Sequence, residues 1–312
     1  MKAIVFNKKA HPDKLVYCEI EKPIPGENEV LVKIIAVSVN AADYRSMKMG
    51  LIPKKKIFGA DIAGIVESAG RNIQQFKPGD EVIGEIADHG FGGFAEYALA
   101  PEKLLVHKPS KISFEDAAAL PMAALTALQA LRDKGNIQKG HQVLVIGSGG
   151  GVGTFAVQLA KYFGATVTAV CSTKNVEQTK NLGADDVIDY TKENFIKRNS
   201  SYDIILAING SYPLLACKRI LNPKGTYVMI GGALSQIFKA IIFGWMMSLG
   251  PKKIRFLAAK PKQKDLEFIV TLASDGMIKP VIDKYYLLEK TAEAVRYLGE
   301  GHARGKVVIN VQ

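Results

Sequence analysis

One segment of the chain, residues 142–171, reads QVLVIGSGGGVGTFAVQLAKYFGATVTAVC. It opens with an apolar run that predicts a buried strand and continues with Gly147, Gly150 and Gly153, spaced three apart. Only a residue without a Cβ atom makes so tight a strand-to-helix turn and lets backbone amides approach a pyrophosphate. An amphipathic helix pattern and a second apolar run, Thr166–Val170, follow. This order predicts a dinucleotide-binding turn whose free amides and helix dipole favour phosphate.

The choice of nicotinamide cofactor depends on the residues about 20 positions past the glycine turn, where an acidic side chain would bind the adenosine ribose. The chain has Ser172, Thr173, Lys174 and Asn175 there, with no Asp or Glu among them. Two hydroxyls and an ammonium suit a 2′-phosphate. Tyr190, after the next predicted strand, adds a phenol to the same pocket. We therefore predict NADPH over NADH; in the alternative interpretation, Lys174 is one more solvated lysine of a basic protein.

The composition predicts a two-domain globular protein, because the chain has 312 residues and 48% of them are hydrophobic. Its three cysteines, Cys18, Cys171 and Cys217, are isolated, so the sequence encodes neither a disulfide framework nor a Cys-x-x-Cys zinc site. Cysteine usage of this kind predicts a cytoplasmic protein. Charged residues interrupt the apolar amino terminus before a signal-peptide core is complete, so we expect no secretion signal.

The net charge of +11 raises the question of a nucleic-acid or membrane partner. The lysines are scattered, and their densest groups, Lys54–Lys56 and Lys252–Arg255, have no interleaved aromatic residues. We interpret these groups as solvated surface and expect no nucleic-acid partner. The apolar segment Ile237–Leu249 is too short to span a bilayer. We interpret it as a buried helix that lines a pocket or a subunit contact; interfacial anchoring to a membrane is the alternative.

The remaining patterns divide the chain into regions with different predicted secondary structure. The first part is rich in strand patterns such as Lys2–Phe6 and Glu29–Val39, separated by Pro and Gly turns, and predicts a compact barrel-like domain. Residues 114–132 are rich in Ala and Leu and predict helix. Beyond Cys171, strand and helix patterns alternate, which predicts an α/β fold with a doubly wound parallel sheet. We expect the tail from Lys264 to return to the first domain, which is then discontinuous.

Eight short motifs occur in order along nearly the whole chain. They are NAAD (40–43), GADIAG (59–64), PGDEV (78–82), GFAEY (93–97), the glycine turn, LGAD (182–185), PKG (223–225) and GHARGK (301–306). In these motifs the chain resembles a zinc-independent member of the medium-chain dehydrogenase/reductase superfamily, in its quinone oxidoreductase-like (zeta-crystallin-like) group. The resemblance implies a GroES-like β-barrel catalytic domain at residues 1–118 and 259–312, a Rossmann domain at residues 119–258, a cleft between them, and a homodimer.

The resemblance also implies that the chain binds no catalytic zinc. Zinc alcohol dehydrogenases of the superfamily hold the ion with two cysteines and a histidine, and Asn40, Ala60 and about Met122 occupy those positions here. Without a metal to polarise an alcohol oxygen, interconversion of alcohols and ketones is difficult. Conjugate reduction of an enone or quinone needs only one or two hydrogen-bond donors at the oxygen that gains charge.

The same resemblance implies roles for individual residues. Those expected to bind the cofactor are Thr126, near the nicotinamide or its ribose; Gly150, Gly151 and Val152, at the pyrophosphate; Ser172, Thr173, Lys174 and Tyr190, at the 2′-phosphate; Asn209, Gly210, Ile230, Gly231 and Gly232, on the nicotinamide side; and Lys306. The catalytic candidates are Asn40 and Tyr44 as hydrogen-bond donors, for which a helix N-cap and a pocket wall are the respective alternatives. We interpret Asp43 and Asp61 as buried structural carboxylates.

Together these features predict an NADPH-dependent reductase of quinones or α,β-unsaturated carbonyls, acting on a small electrophilic substrate without a metal. One alternative is a metal-independent NADP-dependent alcohol or ketone oxidoreductase. The other is a non-catalytic NADPH-binding protein with a structural role or a role at a membrane surface.

Overall fold

The computed structural model describes residues 1–6, 14–208, 212–231 and 250–311. The predicted sites Asn209, Gly210 and Gly232, and the apolar segment Ile237–Leu249, lie outside the described residues. Within the described ranges, no helix combines the length and the apolar character that crossing a membrane requires.

The helices and strands alternate along most of the chain. The strands are β1 (Lys2–Phe6), β2 (Leu15–Glu19), β3 (Glu29–Val39), β4 (Asp61–Ala69), β5 (Glu81–Glu85), β6 (Tyr97–Pro101), β7 (Leu105–His107), β8 (Gln142–Ile146), β9 (Thr166–Cys171), β10 (Asp186–Asp189), β11 (Tyr202–Ile208), β12 (Leu221–Ile230), β13 (Lys253–Leu257), β14 (Ile282–Leu287) and β15 (Lys306–Asn310). The α-helices are α1 (Ala41–Lys48), α2 (Phe114–Ala119), α3 (Pro121–Gln129), α4 (Gly151–Tyr162), α5 (Val176–Asn181), α6 (Leu214–Arg219), α7 (Gln263–Ser274) and α8 (Thr291–Gly299).

The chain divides into two compact units. Unit 1 comprises Met1–Leu125 and Pro261–Gln312, and unit 2 comprises Thr126–Lys260. Unit 1 is therefore assembled from two separate stretches of sequence, whereas unit 2 is one continuous stretch. The middle domain predicted at residues 119–258 shares most of its residues with unit 2.

Unit 2 is built on a six-stranded sheet whose paired strands are all parallel, in the order β10-β9-β8-β11-β12-β13. The chain leaves β8 towards one edge of the sheet and later returns to its other side, as in a doubly wound fold. Val143–Ile146 are buried, which explains the continuous apolar run in this strand. The sheet confirms the Rossmann-type fold predicted from the sequence.

Unit 1 contains a mainly antiparallel sheet in the order β14-β15-β3-β4-β5-β7, with β6 also paired to β3 and with a separate β1-β2 hairpin. Its core includes Phe6 and Phe58, whose rings meet edge to face with centroids 5.4 Å apart. In the register of the sheet, β3 lies between β15 and β4, so that Val39 is opposite Val307 and Ser38 is opposite Asp61. This register brings the ends of three strands together where the first helix begins.

One region differs from the sequence-based interpretation. Lys252–Arg255 was interpreted as solvated surface, but Lys253–Leu257 forms β13, which pairs with β12 in the parallel sheet. Its apolar residues Ile254 and Leu257 are buried, at 7% and 6% exposure, whereas Lys253 and Arg255 face solvent. Ile254 is buried between the exposed Lys253 and Arg255, so the basic side chains stay in solvent at this edge of the sheet although the segment is a strand.

Candidate functional site

The glycine turn of unit 2 depends on contacts that side chains would block. Gly147 has φ +90°, and its N–H donates to the carbonyl oxygen of Val170 at 3.0 Å. A Cβ on Gly153 would lie 2.2 Å from the carbonyl oxygen of Gly147. The first turn of α4 therefore packs directly on the backbone of the loop, and residues 147 and 153 need glycine for different reasons: backbone conformation and close approach.

The amino terminus of α4 faces open space. Gly150, the N-cap, is extended with φ −94°, and among the described residues a Cβ on it would meet nothing within 4 Å. The first hydrogen bond of the helix runs from the N–H of Thr154 to the carbonyl oxygen of Gly150, at 2.9 Å. The amides of Gly151 and Val152 precede that bond and are not paired within the helix. An unfilled space at unpaired amides and the positive end of a helix dipole fits the pyrophosphate of a dinucleotide.

The residues predicted to hold a 2′-phosphate follow β9, and one of them is engaged elsewhere. The hydroxyl of Thr173 donates to Oδ2 of Asp189 at 2.6 Å. The other oxygen of Asp189 accepts from the backbone N–H and the hydroxyl of Thr191, at 3.0 and 2.7 Å. These hydrogen bonds lower the pKa of Asp189, and the bond from Thr173 has the largest effect. Thr173 thus has no hydroxyl hydrogen left for a phosphate.

Sequence reasoning missed Asp189, because it searched for an acid only at the end of β9. β10 runs parallel to β9, with Asp189 opposite Cys171, so the two strands end at the same edge of the sheet. Because neighbouring parallel strands end at the same edge of a sheet, the acid at the end of the next predicted strand was the sequence signal for this residue.

The other predicted 2′-phosphate residues are accessible. Lys174 is exposed, Ser172 is half-buried, and Tyr190 is 52% exposed. The N–H of Tyr190 donates to the carbonyl oxygen of Cys171 at 3.0 Å, so the backbone of Tyr190 lies beside that of Ser172. The structure therefore brings Ser172 and Tyr190 together at one end of β9.

Two further groups were predicted on the nicotinamide side. Ile230 and Gly231 stand at the carboxyl end of β12, where Gly231 has φ +68°. Ligands of doubly wound sheets bind at such strand ends. Thr126 is 9% exposed on α3.

Unit 1 holds a buried polar cluster around Asp61, which we call the Asp61 cluster. Its side chains are Ser38, Asn40, Asp61 and Lys306. The carboxylate of Asp61, fully buried, accepts from Ser38 Oγ at 3.1 Å, Asn40 Nδ2 at 2.9 Å, the Lys306 ammonium at 3.3 Å and the N–H of Met122 at 3.0 Å. A buried anion with four donors, one of which is a cation, is well solvated by the protein itself.

Asn40 connects this cluster to the first helix. As the N-cap of α1, it donates its backbone N–H to Oδ2 of Asp43 at 2.8 Å. Its side-chain oxygen accepts from the Lys306 ammonium at 2.7 Å, while its side-chain nitrogen donates to Asp61. The side chain of Lys306, predicted to reach the cofactor, is thus bonded to Asn40 and Asp61. Asn40 is 7% exposed and Lys306 is 3% exposed.

Two buried carboxyls beside the cluster ionise far above their usual range. Burial raises the pKa of Asp43 to about 7, although its carboxylate also accepts the N–H of Gly59 at 3.1 Å. Burial, with the negative charge of Asp61 second, raises the pKa of Glu85 to about 8. Both carboxyls therefore change charge near neutral pH.

Tyr44, the second catalytic candidate, lies on α1 and is half-buried. Its ring packs against the backbone of Gly299 on α8, where an added Cβ would lie 2.3 Å from ring carbon Cε2. The ring is thus held by packing, and it carries the phenol hydroxyl at its far end.

The donor set at the positions where the resemblance to zinc alcohol dehydrogenases would place zinc ligands does not suit zinc. Asn40, Ala60 and Met122 supply neither thiolate nor imidazole, and the Lys306 ammonium places a positive charge against Asn40. Among the described residues, no group of three His, Cys, Asp or Glu side chains is arranged to hold a metal ion.

Models of two domain families match the chain. The family described as "Alcohol dehydrogenase GroES-like domain" matches residues 26–110, and the family described as "Zinc-binding dehydrogenase" matches residues 182–309. The first match agrees with the predicted GroES-like character of unit 1.

Individual proteins match over most of their length. The chain is 36% identical over 310 residues to the chloroplast envelope quinone oxidoreductase homolog of Arabidopsis thaliana, with 95% of this chain and 93% of that protein covered. It is 35% identical over 298 residues to the 2-methylene-furan-3-one reductase of Solanum lycopersicum, with 91% and 72% covered. The solved structure of the quinone oxidoreductase from Coxiella burnetii superposes with a TM-score of 0.91 at 28% identity, with 100% of this chain and 99% of that one covered.

These relatives correct the predicted localisation. Several are named as chloroplast proteins and others as mitochondrial, which points to an organelle, so the prediction of a cytoplasmic protein is wrong. Isolated cysteines indicate only that thiols stay reduced, and that property does not distinguish the cytoplasm from an organelle.

Proposed function

This chain belongs to the quinone oxidoreductase-like group of the medium-chain dehydrogenase/reductase superfamily, and from that membership we propose that it reduces quinones or α,β-unsaturated carbonyls with NADPH and without a catalytic metal. It is an oxidoreductase with a nicotinamide cofactor and a small-molecule substrate, as in its relatives. The choice of NADPH, the class of acceptor, the absence of zinc and a homodimeric state are parts of the proposal.

The observation that carries the proposal is the Asn40 carboxamide, an uncharged donor fixed between a buried cation and a buried anion. In conjugate reduction, negative charge develops on a carbonyl oxygen, and a fixed N–H donor stabilises that charge without reorganising. Alcohol oxidation gains most from a Lewis acid, which the donor set around Asn40 does not suit. Asn40 and, from α1, Tyr44 are the proposed donors to the substrate oxygen.

The bound nicotinamide supplies the hydride. The residues of unit 2 bind and orient the cofactor: the amides of Gly150, Gly151 and Val152 hold the pyrophosphate, and Thr126, Ile230 and Gly231 border the nicotinamide side. Ser172, Lys174 and Tyr190 hold the 2′-phosphate. Thr173 donates its hydroxyl hydrogen to Asp189 and is not among the proposed phosphate ligands.

The test is the loss of NADPH absorbance with purified, metal-free protein against quinones, enals, enones and simple ketones, with NADH in parallel. We expect turnover of conjugated acceptors with NADPH and little with NADH. Turnover of simple ketones alone would support the alcohol or ketone oxidoreductase instead. Tight NADPH binding without turnover of any acceptor would favour the non-catalytic alternative. Light scattering of the eluted protein tests the homodimer.

A further inference from the structure

Lys306 is the first residue of β15, which pairs antiparallel with β3 so that Val307 is opposite Val39. This register places Lys306 beside Asn40, which follows β3 directly. The Lys306 side chain extends into the interior of unit 1, where only 3% of the residue is exposed. Its ammonium donates to Asn40 Oδ1 at 2.7 Å and to Asp61 Oδ2 at 3.3 Å.

The charges on either side of Asn40 decide which way its carboxamide points. An ammonium can only donate hydrogen bonds, and a carboxylate can only accept them. With Oδ1 towards Lys306 and Nδ2 towards Asp61, both contacts are favourable. A flipped carboxamide would set N–H against the ammonium and oxygen against the carboxylate, which makes both contacts repulsive. The orientation is therefore fixed by the ion pair.

This orientation leaves one hydrogen of Nδ2 unused. The other hydrogen binds Asp61, and within the described part of the chain the unused one has no partner. Asn40 keeps 7% of its surface exposed, whereas Asp61 has none. The cation on Oδ1 withdraws electron density from the amide, and hydrogen bonds in such a chain strengthen one another. The second N–H is thus held in one orientation by the ion pair and made a better donor.

We propose that Lys306 is the positioning residue that orients and polarises the Asn40 carboxamide towards the substrate oxygen, in place of the cofactor contact expected from the resemblance. The inference rests on the proposed function, because it assigns a role to Lys306 in the same reaction. Lys306 touches neither substrate nor cofactor in this role and acts through Asn40 alone.

The first test compares Lys306→Met with Lys306→Arg by steady-state reduction of a conjugated acceptor and by fluorescence titration of NADPH. We expect Lys306→Met to lower kcat at least about tenfold, the effect of one lost charge-assisted hydrogen bond, with the Kd of NADPH changed less than about threefold. Lys306→Arg keeps the charge and recovers part of kcat. A tenfold weaker NADPH complex with kcat preserved would make Lys306 a cofactor ligand and overturn the proposal.

A double-mutant cycle separates positioning from general support of the fold. If Lys306 acts through Asn40, Lys306→Met costs less than about threefold in kcat once Asn40→Ala is present. Independent losses that multiply in the double variant would overturn the proposal. Ser38→Ala, which removes another donor to Asp61, is the matched control: we expect a lower Tm and kcat within about threefold of the wild type.

Lys306→Met leaves Asp61 buried without its cation, and such a change can prevent folding. The double variant Lys306→Met with Asp61→Asn removes both charges and keeps the site neutral. We expect it to fold and to show the same selective loss of kcat, because nothing then fixes the carboxamide. Wild-type kcat in this folded variant would contradict the proposal.

A readout independent of turnover distinguishes failure of this inference from failure of the proposed function. The side-chain amide resonances of Asn40, identified by their absence in Asn40→Ala, report on the contact with Lys306 whether or not an acceptor is reduced. We expect them to shift in the neutral double variant and to stay in place in Ser38→Ala. Unchanged resonances in the neutral variant would overturn the inference, even with a confirmed reductase activity.

Discussion

The hydroxyl of Thr173 donates to Oδ2 of Asp189 at 2.6 Å, and this bond ties the second residue after β9 to the last residue of β10. Because a hydroxyl has one hydrogen, Thr173 cannot also donate to a phosphate. The cationic side chain next to it, Lys174, is exposed. Thr173 and Lys174 should therefore contribute very differently to the choice between NADPH and NADH.

We expect Lys174→Met to raise the Kd of NADPH by about 10- to 100-fold, the effect of losing a charge-assisted bond to the 2′-phosphate. The Kd of NADH should stay within about threefold, because NADH lacks that phosphate. Thr173→Val is the control, and we expect it to keep the Kd of NADPH and the Kd of NADH within about threefold of the wild-type values. Equal losses of affinity for NADPH and NADH in Lys174→Met would show that the lysine does not bind the 2′-phosphate.

Gly150 and Gly153 form a matched pair in the glycine turn. In the part of the chain that the structure describes, a Cβ on Gly150 meets nothing within 4 Å. Gly150→Ala should therefore fold with a Tm within about 4 °C of the wild type while NADPH binds at least about tenfold more weakly. A Cβ on Gly153 lies 2.2 Å from the Gly147 oxygen, so Gly153→Ala should lower the Tm by about 5–10 °C. Differential scanning fluorimetry with and without NADPH checks both. Unweakened NADPH binding by Gly150→Ala would place the pyrophosphate elsewhere.

Glu85 makes the stability of the protein depend on pH. Its folded-state pKa of about 8 lies above the ordinary value of 4.5, so between these values the folded protein holds a proton that the unfolded chain has lost. The free energy of unfolding therefore falls as pH rises through this window, by about 1.4 kcal/mol per pH unit for one such group. The contribution is fully present below about pH 4 and lost above about pH 8.

Glu85→Gln carries no titrating proton, so its urea unfolding free energy should fall less steeply than that of the wild type between pH 5 and pH 8. Asp43 stays in both proteins and keeps part of the slope. Glu267→Gln, at an exposed position on α7, should leave the slope unchanged. Parallel slopes for wild type and Glu85→Gln would mean that Glu85 is already ionised in the folded protein at neutral pH.

Tyr44→Phe keeps the ring that packs on Gly299 and removes only the phenol hydroxyl. If that hydroxyl donates to the substrate oxygen, kcat for a conjugated acceptor should fall about tenfold or more with the Tm nearly unchanged. Gly299→Ala provides the complementary change, because its Cβ displaces the ring together with its hydroxyl but does not remove the hydroxyl. Unchanged turnover in Tyr44→Phe would leave Tyr44 as a pocket wall.

Removal of metal should not change activity. The Lys306 ammonium lies 2.7 Å from Asn40 Oδ1, and its charge repels a divalent cation from the position where zinc relatives hold theirs. We expect kcat to be the same before and after dialysis against a chelator, and metal analysis to find far less than one zinc per chain. Stoichiometric zinc in protein purified in metal-free buffers, or activity restored by zinc, would refute this prediction.

Much of unit 2 was predictable because its signals are local. Gly147 and Gly153 mark the turn, and the apolar runs of β8 and β9 on either side of α4 determine the order of elements within 30 residues. The strand Glu29–Val39 of unit 1 was predicted with the bounds that it has in the structure. β13 was missed because an edge strand with alternate basic residues has the same composition as a solvated loop.

The site in unit 1 was predictable only in part. Asn40 was a candidate because of its motif, but its contact with Lys306 joins residues 266 positions apart, and no local periodicity encodes such a pair. The same limit applies to Glu85: its pKa depends on burial and on the charge of Asp61, both of which are products of the sheet register. Sequence patterns therefore identified Asn40 and Lys306 but not Glu85, and only the fold supplied the partners of all three residues.

The two-stretch construction of unit 1 also determines when its parts assemble during synthesis. Thr126–Lys260 is continuous and can fold as soon as it leaves the ribosome, whereas β3 pairs with β4 and β6 first and gains its third partner, β15, only later. Until Lys306 emerges, 245 residues after Asp61, the buried carboxylate lacks its cation, and closing so long a loop is slow. A nascent chain therefore acquires its glycine turn before its oriented Asn40, so that folding itself delays the oxidoreductase activity until Lys306 has been synthesised.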